Sequence, residues 1–255
     1  VEAVVFTEAM VGPWRSPEQV AAVARMEVWT AVLDDFSEAA TTSLAQLDEM
    51  IERCNAIIET GNPDSGHPLL TVLSELQTDL MRQPRYDALA SLWEGGFRRC
   101  LSGIQHDWIV GHRGHDGSAD APDIGEYFDH ADSILVWIVY PPRWIHDSGT
   151  PMAGELDVLD HLKILGPALD SCTLAVRLAN DLATAARERR EGNQNNILDY
   201  GVSPDWVRAE IDRHTATVTQ MLAPLIATQY VPAIELARWT EWGVGFYRRA
   251  DVRYV

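Results

Sequence analysis

Hydrophobic positions recur along most of this chain every three to four residues, the period of an α-helix, and polar residues between the runs mark starts and stops. Ser16-Pro17-Glu18-Gln19 is the first clear start: the serine can cap, the proline suits a first turn, and the glutamine can return the hydrogen bond. Val20, Val23, Ala24, Val28 and Ala31 then keep helical spacing up to an acidic cluster, Asp34-Asp35-Phe36-Ser37-Glu38. Residues 39 to 60 read as continued helix, with Leu44, Leu47, Met50, Ile51, Cys54 and Ile57 inward, until Gly61-Asn62-Pro63 stops it. Further helices are predicted at about 68–82 and 85–111, followed by a loop from His112 to Pro122. A helix near 123–139 should end before Pro141-Pro142, and another should cover about 153–165. Gly166-Pro167 then breaks the chain ahead of a helix at about 167–191, which Gly192-Asn193-Gln194-Asn195-Asn196 terminates. Ser203-Pro204 opens a helix to about 227, and Pro232 opens the last, to about 250.

The one strand-like run, Val136 to Tyr140, is too short to found a sheet, and no internal repeat is visible. The expected fold is therefore all-α, a bundle or helical barrel of long helices joined by short links. No Gly/Ser-rich linker divides the 255 residues, so the reading is one domain over 1–255. A formal charge of −18 excludes a nucleic-acid surface, because no basic stripe exists to neutralise phosphates. No apolar run approaches the length of a membrane span, and no signal-peptide pattern opens the chain. Cys54, Cys100 and Cys172 are far apart, odd in number and set in apolar helical surroundings, so buried thiols and a cytoplasmic, reducing compartment are expected.

Candidate chemistry sits in two places. Within Asn180-Asp181-Leu182-Ala183-Thr184-Ala185-Ala186-Arg187-Glu188, steps of four bring Asn180, Thr184 and Glu188 into one column. An amide oxygen, a hydroxyl and a carboxylate are hard ligands suited to Mg²⁺. Upstream, Asp34 and Glu38 are also four apart, with Asp35 beside them, at the end of the apolar run Val28 to Leu33. Carboxylates crowded at the end of a buried helix repel one another and lose hydration unless a cation compensates. His112, His115 and Asp116 form a third polar group, read as a surface loop.

The two motifs together, DDFSE and NDLATAARE, resemble the DDxxE form of the aspartate-rich motif and the ND(L)x(S/T)xxxE motif of class I terpene synthases. That resemblance implies an all-α helical barrel in which Asp34, Asp35 and Glu38 face Asn180, Thr184 and Glu188 around three Mg²⁺ ions, with Mn²⁺ an alternative, on a substrate diphosphate. It implies that Asp181 points away from the metals and that Arg187 and the C-terminal pair Arg253-Tyr254 contact the diphosphate. It further implies a closed pocket in which a carbocation cyclises, and Trp29, Phe36, Trp93, Phe97, Trp108, Trp137, Trp239, Trp242 and Phe246 are candidates for its aromatic lining. Two departures stand out. Where bacterial members carry a diphosphate-sensing arginine, in the segment Glu126 to Ser133, this chain has Ala131 beside His130. Only 33 residues precede the first motif, fewer than the family generally has, so one or two N-terminal capping helices are expected to be absent.

The resemblance implies a lyase that ionises a prenyl diphosphate. The short chain, the missing arginine and the tryptophan-rich composition favour a C20 bicyclic diphosphate of the labdane (copalyl-like) type, ahead of farnesyl and then linear geranylgeranyl diphosphate. The class II motif DxDD does not occur, so a separate class II cyclase would supply that substrate, and a homodimer is the expected assembly. A chain-elongating prenyltransferase would call for a second aspartate-rich motif in place of the Asn180 column. A non-catalytic helical binding protein would leave Asp34 and Asp35 unexplained.

Overall fold

A computed structural model describes residues 2–113, 123–146, 158–191 and 195–249. Every regular element among them is helical. The helices are α1 (Glu2–Val11), α2 (Pro17–Glu38), α3 (Leu44–Thr60), α4 (Pro68–Met81), α5 (Tyr86–Arg113), α6 (Ile124–Asp129), α7 (Val136–His146), α8 (Val158–Glu191), α9 (Pro204–Ala227) and α10 (Val231–Tyr247). Two 3-10 turns, Ala131–Ile134 and Ile197–Tyr200, complete the set. No described helix is long and apolar enough to cross a membrane. The chain packs as two compact units: Val1–His106 with Leu135–Thr150, and Asp107–Ile134 with Pro151–Val255.

In the first unit, α2 is flanked by α1, α4 and α7, and α3 pairs with α4. Ser16 caps α2 in a reciprocal box with Gln19, as its spacing predicts. A second box, Ser43 with Gln46, starts α3, so residues 39–43 are a break where continued helix was expected. Gly61 ends α3 at φ 66°, a left-handed conformation that a residue without a Cβ adopts freely. The core joins Trp29, Leu33, Leu70, Leu73, Trp93 and Phe97, all buried. Its polar atoms are satisfied internally: Trp29 Nε1 donates to the Leu69 carbonyl at 2.9 Å, and Trp93 Nε1 donates to Gln77 Oε1 at 2.9 Å.

The predicted helix at about 123–139 is three elements instead. α6 ends at Asp129, a 3-10 turn follows, and Leu135 takes φ 66° before α7 begins. Pro141 and Pro142 lie inside α7 rather than after it. Each removes a helical N–H, at a cost of about 3 kcal/mol in an ordinary helix interior. Against that, α7 buries Val136 to Ile145 without interruption, and its large apolar side chains return about 1.5–3 kcal/mol each. Burial wins. The Trp137 carbonyl, deprived of its helical donor by Pro141, faces α5 at Gly96, where an added Cβ would lie 3.0 Å from that oxygen.

In the second unit α8 is the spine, with α9, α10 and the two 3-10 turns packed against it. α8 begins at Val158 and runs through Gly166-Pro167, where a break was expected. Pro167 and Lys163, whose carbonyl would have received the missing N–H, are both exposed, so water can serve that oxygen. The predicted stop at residues 192–194 lies outside the described residues. The three cysteines are buried and free, and burial pushes the Cys54 and Cys172 thiols up to about 12.

One buried ion pair ties α1 to α7: Arg143 Nη2 donates to both carboxylate oxygens of Glu8, and neither side chain has any exposure. Truncating one member of such a pair leaves a buried charge without its partner. Glu8→Ala is therefore expected to lower stability by about 3–5 kcal/mol, read as a shift of the urea midpoint at constant slope.

Candidate active site

The first acidic cluster closes α2. Asp34 and Glu38 are half-buried and Asp35 is exposed, and the last turn carries no basic residue. Ser37 and Thr42 hydroxyls donate to the carbonyls of Asp34 and Phe36 at 2.9 and 2.7 Å, which holds the helix end in shape. A helix C-terminus is the negative end of the backbone dipole, so three carboxylates there raise the potential energy and favour a bound cation. Among the described residues, no three His, Cys, Asp or Glu side chains come close enough to hold a metal by themselves. Amide and hydroxyl oxygens can join carboxylates in a ligand set for a hard cation.

The second motif supplies such oxygens. Asn180 is half-buried, and Thr184 and Glu188 are buried along α8. Thr184 donates its hydroxyl proton to the Asn180 carbonyl at 2.9 Å, which turns the oxygen's lone pairs away from that bond. All three side chains thus offer oxygen to a hard divalent cation, and the donor set fits one. The column is slanted, because each step of four overshoots a full turn by about 40°. Glu188 therefore ends close to the stripe of Arg177 and Asp181 rather than directly above Asn180.

Asp181, whose side chain the resemblance expects to turn away from the metals, is engaged in a set of protein contacts. It is buried and accepts from the Tyr127 hydroxyl at 2.8 Å and from the Ile197 N–H at 2.6 Å, with Arg177 Nε 3.2 Å away. Burial pushes its carboxyl upward, while the Arg177 cation pulls the other way. Arg177 also reaches Asp107 at 2.8 Å, Ser133 at 2.6 Å and the Asn195 carbonyl at 2.7 Å. Asp107 and Asp181 outweigh the burial penalty and hold this guanidinium well above its ordinary pKa. Sequence reading missed this network. Only the four-residue spacing of Arg177 and Asp181 signalled it; Asp107, Tyr127 and Asn195 come from distant segments.

Arg187 is buried, with Nη2 3.7 Å from Glu188 Oε1. Arg253, Tyr254, His115 and Asp116 lie outside the described residues. Ala131 is buried in the 3-10 turn, two residues from the Ser133 that Arg177 grips.

The aromatic candidates fall into different settings. Trp93 and Phe97 meet edge-on at 5.2 Å and have no exposure, so they are core. Trp137 is buried beneath the Arg99 guanidinium at 4.9 Å. Trp108 stacks on His112 at 3.8 Å; Trp239, Trp242 and Phe246 are half-buried on α10, the last two stacked at 5.2 Å. Trp29 and Phe36 line a cavity of about 640 Å³ together with Val28, Val32, Asp35 and Val72. On an ideal helix the Asp34–Glu38 column lies roughly a third of a turn round α2 from the stripe facing this cavity.

An all-α fold with this oxygen column is that of a class I terpene synthase. Over residues 25–201 the sequence matches the family model described as "Terpene synthase family 2, C-terminal metal binding". The chain belongs to that family: it is a terpene synthase, a lyase that uses a divalent metal and a prenyl diphosphate. It is 41% identical over 254 residues to the ent-pimara-9(11),15-diene synthase of Streptomyces sp. (strain KO-3988), covering 99% of this chain and 84% of that protein. A mutant of the SVS_A2 protein from ancestral sequence reconstruction shares its fold at TM-score 0.69 and 15% identity, over 98% of this chain and 75% of that one. The linalool/nerolidol synthase from Streptomyces clavuligerus does so at TM-score 0.64 and 16% identity, over 95% and 88%.

Removing Arg177 would leave Asp107 and Asp181 facing each other without their cation. Arg177→Ala is expected to destabilise the protein by about 3–5 kcal/mol, measured by chemical denaturation.

Proposed function

We propose that this terpene synthase acts on a C20 bicyclic diphosphate of the labdane (copalyl-like) type and converts it, with loss of diphosphate, to a cyclic diterpene. The observation that supports a metal-assisted loss of diphosphate is the Asn180–Thr184–Glu188 column, whose oxygens suit a hard cation. The substrate class is supported by the 41% identical relative, which is named for a pimaradiene, a tricyclic C20 skeleton one ring closure beyond a bicyclic labdane.

Asp34, Asp35 and Glu38, with Asn180, Thr184 and Glu188, are the residues proposed to hold Mg²⁺, three ions being the expected number. When bound, the metal neutralises diphosphate charge and makes it a better leaving group. The chain's own groups would do the rest. Arg187, beside Glu188, would place a positive charge against the departing diphosphate. Buried aromatic faces would attract the developing carbocation without bonding to it. Packed apolar walls would exclude water, whose attack would end the reaction as an alcohol.

Asp35→Ala and Asn180→Ala are each expected to abolish product formation while leaving the helical circular-dichroism spectrum unchanged, and chelation by EDTA should do the same to the parent enzyme. Incubation with Mg²⁺ and C10, C15, linear C20 or bicyclic C20 diphosphates, with mass spectrometry of extracted hydrocarbons, should give a diterpene from the bicyclic substrate alone. A hydrocarbon only from farnesyl diphosphate would move the substrate reading to C15.

A further inference from the structure

Asn196 lies five residues beyond the end of α8, as the N-cap of the 3-10 turn Ile197–Tyr200, and is 2% exposed. Both ends of its carboxamide are engaged. Oδ1 accepts from the Leu198 N–H at 3.1 Å. Nδ2 donates to the Asp181 carbonyl at 2.9 Å and to Glu188 Oε2 at 2.7 Å. One orientation of the amide serves these partners, since two acceptors face one end and a donor faces the other.

The backbone around Asn196 is held on both sides. The Asn195 backbone carbonyl accepts from Arg177, and the Asn195 side-chain Nδ2 donates to Asp107 Oδ1 at 2.7 Å. On the other side the Ile197 N–H donates to Asp181. The Nδ2 donor therefore stands in place whether or not anything is bound. Glu188 has three side-chain torsions, and a bond to Oε2 fixes the last of them with Oε1 on the Arg187 side. A neutral amide does this without adding a second cation to the Arg187 guanidinium already 3.7 Å from Oε1.

We propose that Asn196 is a positioning residue: it orients Glu188 so that this carboxylate binds the divalent metal, a role resting on the reading of Glu188 as a ligand. Outer partners of ligating carboxylates typically change metal affinity by about 10–100-fold when removed. The effect should pass entirely through Glu188.

The test uses the full chain with Mn²⁺ and inorganic pyrophosphate, and follows Mn²⁺ binding by electron paramagnetic resonance. Asn196→Ser keeps a hydroxyl that can cap the Leu198 N–H but is too short to reach Glu188; Asn196→Ala removes both bonds. Both should weaken Mn²⁺ binding by about 10–100-fold, and Glu188→Gln should weaken it at least as much. The double variant Asn196→Ser with Glu188→Gln should bind within about twofold of Glu188→Gln alone, since the two changes remove one interaction. Metal-free melting curves identify any variant that is not folded, and if the alanine form is lost the serine form carries the comparison. Wild-type affinity in Asn196→Ser beside a loss in Glu188→Gln would overturn the proposal and leave Glu188 a ligand. A full additional loss in the double variant would also overturn it, because Asn196 would then act independently. Unchanged binding in Glu188→Gln, or no Mn²⁺ binding by the parent protein, would remove both readings together.

Discussion

Arg177 is the charge around which the second unit is built. A guanidinium cannot be deprotonated to escape burial, so its surroundings must supply compensating acceptors or the fold does not form. They come from α5 through Asp107, from α6 through Tyr127, from the first 3-10 turn through Ser133 and from the segment after α8 through Asn195. Asp181, one turn along α8, completes the set. Three separate stretches, at 107, 127–133 and 195, are thereby referred to one face of a single helix. The same helix carries the oxygen column, so the geometry of the candidate ligands is inherited from the packing of this cation.

The slant of that column explains why structure and chemistry meet at Glu188. Forty degrees of drift per step places Asn180 at one margin of the stripe and Glu188 beside the Arg177 network. Asn196 bridges the remaining gap with a neutral donor. The acidic end of α2 is a different kind of arrangement. It concentrates negative charge where the helix dipole is already negative, a loss of stability that a bound cation would reverse.

Where sequence reading succeeded, it relied on interactions confined to one turn. Ser16 with Gln19, Ser203 with the Trp206 N–H, and Gly61 in its left-handed cap each involve atoms within four residues. Where it failed, burial, solvent or an overlooked local cap outweighed the signal that had been followed. Pro141 and Pro142 should end a helix, yet α7 is so thoroughly covered that burial outweighs the lost bonds. Gly166-Pro167 should break a helix, yet Pro167 and Lys163 are both exposed, so solvent can serve the Lys163 carbonyl, and α8 continues. The break at 39–43 went unseen because the spacing of apolar residues continues across it, although Ser43 and Gln46 spelled out a new start.

The all-α class, the family and the two oxygen-rich motifs were all present in the order of residues. Each depends on helical periodicity or on a short pattern of residue types, and both are local. The partners of Asp181, the role of Asn195 and Asn196, the buried pair Glu8–Arg143 and the closed packing of Trp93 and Phe97 were decided only by tertiary structure. A buried polar group accepts whichever partner the fold delivers: Tyr127 reaches Asp181 across 54 residues and Arg143 reaches Glu8 across 135, separations over which no pattern of spacing carries information.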